Sequence, residues 1–78
     1  MADLAVSPSE ARLEDIVEQA VRRRCHDQIR ILVIERHGSL IIVRGWADSY
    51  YAKQLALEGA RYALASSGHQ LHVDIQVT

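Results

Sequence analysis

Three short stretches hold residue types that can do chemistry: Cys25-His26, His69-x-x-His72, and Ser49 four residues after Gly45. A thiolate and imidazoles are zinc ligands, but such ligands must converge on one point. His69 and His72 fall at the start of an alternating run, and residues three apart on a strand point to opposite faces. Cys25 and His26 are neighbours at the end of a helical stretch, and their side chains diverge in the same way. No metal site is expected. Ser49 lacks the Gly-x-Ser-x-Gly frame of a nucleophile elbow. A phosphate loop needs more glycine than Gly45, which is followed by the bulky Trp46. There are no paired carboxylates and no nucleophile beside a base, so the sequence offers no catalytic or cofactor-binding residue and points away from an enzyme.

Arg22-Arg23-Arg24 has the charge to hold phosphate groups. Three consecutive helical residues fan over about 200° of the surface, so they form no single patch. Arginines at a helix C-terminus also complement its dipole. The formal net charge of −1 supplies no broad attraction to nucleic acid or anionic membrane. Nor is there a basic stripe interleaved with aromatics on strands, so nucleic acid is not an expected partner.

The elements that place these residues are legible from periodicity. "SPSEARLEDIVEQAVRRRC" predicts a helix capped by Ser7, with Pro8 at its first position and Glu10 closing a Ser-x-x-Glu box. Leu13, Ile16, Val17, Ala20 and Val21 form its apolar stripe. "QIRILVIER" and "LIIVRGW" predict a β-hairpin turning at His37-Gly38-Ser39. Gly45 is read as the end of the second strand, where a side chain would crowd the corner. Asp48 or Ser49 then caps a second helix running to about Ser66 and stopped by Gly68. Its stripe of Ala52, Leu55, Ala56, Gly59, Ala60, Ala63 and Leu64 is mostly small, which lets its backbone lie close on a sheet. "LHVDIQV" alternates throughout and predicts the last strand. The expectation is an α+β fold of order α-β-β-α-β, with two helices packed on one face of a three-stranded sheet. A right-handed crossover makes that sheet mixed.

If Ile29, Ile31, Val33, Ile41 and Val43 face the helices, the other sheet face carries Leu32, Ile34, Leu40, Ile42 and Trp46, interspersed with Arg30, Arg44, His72 and Asp74. A solvated sheet face does not need that many aliphatic residues. Trp46, Tyr50, Tyr51, Leu32, Ile34, Ile42, Arg30 and Arg44 are therefore the candidate interaction residues, with the aromatics gathered at the strand-to-helix corner.

"IIVRGWADSYYAKQLALEGAR" resembles the core of the BON domain, whose pattern is a glycine-turned hairpin, a strand of the form V-x-L-x-G and a helix with alternating alanines. Ile41 to Gly45 match the strand, and Ala56 and Ala60 match the small helix positions. The resemblance covers residues 13–77. The hairpin loop is one residue longer than the family's usual spacing, and His69 follows Gly68 where the family often has valine. The resemblance implies a small binding module that contacts phospholipid or a protein partner. The alternative is a self-associating structural or adaptor domain that uses the uncovered sheet face, giving a weak homodimer.

With 78 residues the chain makes one domain, read as residues 7–78 after a flexible stretch of 1–6. Its 49% hydrophobic and 24% charged residues are a globular balance. One cysteine allows no intrachain disulfide and fits a reducing compartment. The first residues have no basic leader, and no run approaches the roughly 20 apolar residues of a membrane span. A cytoplasmic location is the expectation.

Overall fold

Residues 12–78 are described by the computed structural model. The first helix, α1 (Leu13–Cys25), is followed by a single 3-10 turn (His26–Gln28). The chain continues through β1 (Ile29–His37), β2 (Leu40–Ala47), α2 (Tyr50–Leu64) and β3 (Gln70–Val77). The strands lie in the order β1-β2-β3. β1 runs antiparallel to β2, and β3 runs parallel to it. Both helices cover one face of this mixed sheet, as the α-β-β-α-β reading requires.

α1 begins later than the Ser7 reading. Arg12 is extended, and its carbonyl accepts from the amides of Asp15 and Ile16 at 3.0 and 3.2 Å. It therefore stands as the N-cap, although its side chain makes no capping bond. Ser7, Pro8 and Glu10 lie outside the described residues. Glu14 and Asp15 in the first turn and Arg22 to Arg24 in the last complement the helix dipole. α2 starts as expected: Ser49 Oγ accepts from the Ala52 amide at 3.1 Å. It ends at Leu64, whose carbonyl accepts from both the amide and the hydroxyl of Ser67, at 3.1 and 3.0 Å.

The core is aliphatic. Val17, Val21 and Cys25 of α1 meet Ile41 and Val43 of the central strand, with Ala52, Ala56 and Ala60 of α2 closing the layer. The small stripe of α2 serves α1 as well as the sheet. A Cβ added to Gly59 would lie 2.9 Å from the Ala20 carbonyl oxygen, so the glycine sets the approach of the two helices. Further along the same seam, the Cys25 thiol donates to the Ala52 carbonyl at 3.4 Å.

β1 departs from the simple alternation. The pairing with β2 slips between Arg30 and Val33, and Ile31 takes φ +52°. Ile31 and Leu32 together oppose Gly45, the two-against-one arrangement of a β-bulge. The extra residue inverts the faces beyond it. Leu32 is buried in the core and Ile34 packs against it, while Ile31 and Val33 are exposed. The expected assignment of Leu32 and Ile34 to the uncovered face is thereby corrected. Gly45 also acquires a different role. It does not end the strand, which continues through Ala47. A Cβ at Gly45 would lie 3.2 Å from the Arg30 carbonyl oxygen and 3.4 Å from Leu32 Cα, so its hydrogen makes room for the bulge.

Candidate functional site

The sheet face turned away from the helices is ordered in cross-strand rows. Trp46 stands between Arg30 and Gln76, Arg44 between Val33 and Asp74, and Ile42 between Glu35 and His72. These residues share one face because β2 alternates regularly: Ile41, Val43, Gly45 and Ala47 point to the helices, and the residues between them point outward.

Charge on this face is balanced within it. Arg30 pairs with Asp48 at 2.9 Å. Arg44 lies 3.9 Å from Glu35, and His37 Nε2 lies 3.1 Å from the other Glu35 oxygen. The His37 hydrogen bond, and then the Arg44 charge, hold the Glu35 carboxyl below its usual range. The arginines therefore do not make a free basic margin.

Two apolar residues of this face, Ile31 and Trp46, meet at one end. Arg30, Ile31, Trp46 and Thr78 line a cleft of about 250 Å³. Ile31 is 72% exposed and Trp46 is 42% exposed. Thr78 is held there by its amide, which donates to the Ala47 carbonyl at 3.1 Å. Sequence reasoning placed Ile31 and Val33 in the core and so missed both. The one signal that could have found them was Gly45, a residue that admits a bulge opposite it.

Of the candidate residues, the structure brings Arg30, Ile42, Arg44 and Trp46 onto this face. Tyr50 and Tyr51 are exposed on the first turn of α2, in the helix layer, and do not line the cleft. Tyr62 is further removed: the Arg24 guanidinium stands 5.8 Å from its ring centroid. Both belong to a trough of about 550 Å³ between the helices, floored by Ala20, Gly59 and Ala63. That trough is larger than the cleft, but it is the gap left by small residues at a close helix crossing. Among the described residues no buried polar side chain points into it.

The three arginines diverge as their spacing requires. Arg22 bonds Glu18 at 2.9 Å and Arg24 bonds Glu58 at 3.3 Å. Cys25 is fully buried while His26 is exposed, and burial pushes the thiol up from its usual range. Among the described residues, no three of His, Cys, Asp and Glu group to hold a metal ion. The Ser49 hydroxyl is engaged as a helix cap. No described helix is long and apolar enough to cross a membrane. No family model, curated protein or solved structure matches the chain.

Proposed function

We propose that this chain is a small non-enzymatic binding module similar to the BON domains, and that it takes an apolar side chain of a protein partner in the Ile31–Trp46 cleft. The observation that carries this reading is Ile31. A β-branched residue at φ +52° is strained by about 1–3 kcal/mol. Its side chain is also largely exposed to solvent, so it returns little burial energy to offset that strain. A bulge that aims an isoleucine outward beside a tryptophan costs stability in the free protein, and a contact made there would repay it.

Phospholipid is the second reading, supported by a tryptophan and an isoleucine at one end of a face that carries two arginines. Charge favours protein. Arg30 is engaged by Asp48, and Arg44 lies between Glu35 and Asp74, so an anionic headgroup would have to displace carboxylates.

Peptide display on the intact chain, followed by binding to Ile31→Gly and Trp46→Ala, tests the proposal. Glycine accepts the positive φ without strain, so Ile31→Gly should be at least as stable as the parent. The selected peptides should bind Ile31→Gly at least tenfold more weakly. Equal binding to both variants would remove the cleft from the function. Salt-sensitive co-sedimentation with anionic vesicles, lost in Trp46→Ala, would move the reading to lipid.

A further inference from the structure

The two edges of the sheet are built differently. The outer edge of β1 is broken by the bulge at Ile31 and carries Arg30, Glu35 and Arg36. Bulges and charges are what keep an edge strand from pairing with another chain. β3 has little of either. Gln70 to Val77 run in unbroken register along β2, with no proline, no lysine and Asp74 as the sole carboxylate.

The direction of the free groups follows from the ladder. The amides of Gln70 and Thr78 donate to the carbonyls of Ser39 and Ala47 at 2.8 and 3.1 Å. In a parallel pair this alternation turns the even-numbered residues of β3 toward β2. It leaves the N–H and C=O groups of Leu71, Val73 and Ile75 on the outer edge. Among the described residues no strand pairs with that edge.

We propose that β3 pairs antiparallel with β3 of a second copy, about a two-fold axis at Val73, to give one continuous sheet. In that register Val73 faces Val73, Leu71 faces Ile75, His72 faces Asp74 and Gln70 faces Gln76. Leu71, Val73 and Ile75, whose backbone groups already point outward, become the hydrogen-bonded pairs and form about six bonds. His72 and Asp74 fall at the non-hydrogen-bonded positions, where opposing side chains approach most closely. The two-fold axis makes that complementary contact twice.

Neighbouring registers are worse. A slip of one residue sets helix-side apolar residues against outward polar ones. A slip of two sets Asp74 against Asp74 in one direction and His72 against His72 in the other, and like pairs oppose pairing. The helix above the strand contributes as well. Gly59 faces α1, and Leu57 lies about 200° away around α2, on the flank over the free edge. Leu57 is half-buried yet outside the core cluster, so it is apolar surface that a second copy would cover.

Sedimentation equilibrium with concentration-dependent amide hydrogen exchange on the full chain tests this. The expected result is a dimer in which the amides of Leu71, Val73 and Ile75 gain protection as concentration rises, while those of His72 and Asp74 do not change. His72→Asp should weaken association roughly tenfold by placing two acidic pairs across the axis. The exchanged variant His72→Asp/Asp74→His should restore it to within about threefold. Both positions are exposed, and far-UV circular dichroism checks that each variant is folded. A strict monomer at the highest soluble concentration would overturn the proposal. So would a dimer whose odd-numbered amides stay unprotected, odd-numbered amides already protected in the dilute monomer, or an exchanged variant that fails to recover.

Discussion

Gly59→Ala sets two known effects against each other at one atom. Alanine is the better helix former by about 1 kcal/mol, so propensity alone predicts a more stable protein. The new methyl, however, would lie 2.9 Å from the Ala20 carbonyl oxygen, 3.3 Å from its carbonyl carbon and 3.3 Å from Val21 Cα. All three are backbone atoms of α1, so no rotamer change relieves the contact. The helices must separate by about half an ångström to restore ordinary van der Waals distance. That movement loosens Val17, Val21 and Cys25, each fully buried against the sheet and α2. Overpacking of this kind costs about 1–3 kcal/mol, and rigid backbone places it in the upper part of that range. The net expectation is a loss of ~1–2 kcal/mol, or a fall in Tm of about 5–15 °C. Urea unfolding followed by far-UV circular dichroism measures it. Ala20→Gly should not rescue the variant, because the clash is with the Ala20 carbonyl and not its methyl. A Gly59→Ala protein as stable as the parent would show that the helices are not in tight contact there.

The bulge makes neighbouring residues respond oppositely. Leu32→Lys should cost at least ~3 kcal/mol or prevent folding, whereas Val33→Lys should stay within about 1 kcal/mol of the parent; the reverse order in thermal melts would show that β1 runs without the bulge. The lowered Glu35 carboxyl makes a stabilising contribution that is present at neutral pH and disappears as the pH falls through its depressed folded-state value. Glu35→Gln should therefore flatten the acid limb of a stability–pH curve, and an unaltered limb would show that His37 and Arg44 give the carboxylate no net support.

Much of the architecture was legible because most elements carry unambiguous patterns. "LHVDIQV" has one parity of apolar residues, the Ser49 cap precedes a helical stripe, and Gly38 sits at φ +61° in the hairpin turn. The readings that needed correction fell where the local pattern was degenerate or incomplete. In "IRILVIER" both parities are aliphatic, so alternation could not say which face Leu32 and Ile34 take, and the bulge opposite Gly45 decided it. The Ser7-Pro8-x-Glu10 capping pattern lies outside the described residues, and α1 begins at Leu13 after an extended Arg12. The site suffered from the first of these. Ile42, Arg44 and Trp46 followed from the regular strand β2, while Ile31 and Val33 were hidden by a register slip that a single sequence does not display.

The arrangement of aromatic residues changes what optical measurements on this protein mean. Its core is built from aliphatic side chains, alanine and one cysteine, while the single tryptophan and all three tyrosines are on the surface. Near-ultraviolet dichroism arises from aromatic rings held in asymmetric packing, so the native protein should give a weak signal. A faint spectrum would ordinarily be read as a loosened, molten interior. Here it is compatible with tight packing of residues that do not absorb. Indole emission is likewise partly solvated before unfolding begins, so it is a poor gauge of denaturation. The same exposure makes Trp46 an intrinsic gauge of occupancy, since anything that settles on the Ile31 end of the sheet displaces water from the indole and shifts its emission to shorter wavelength.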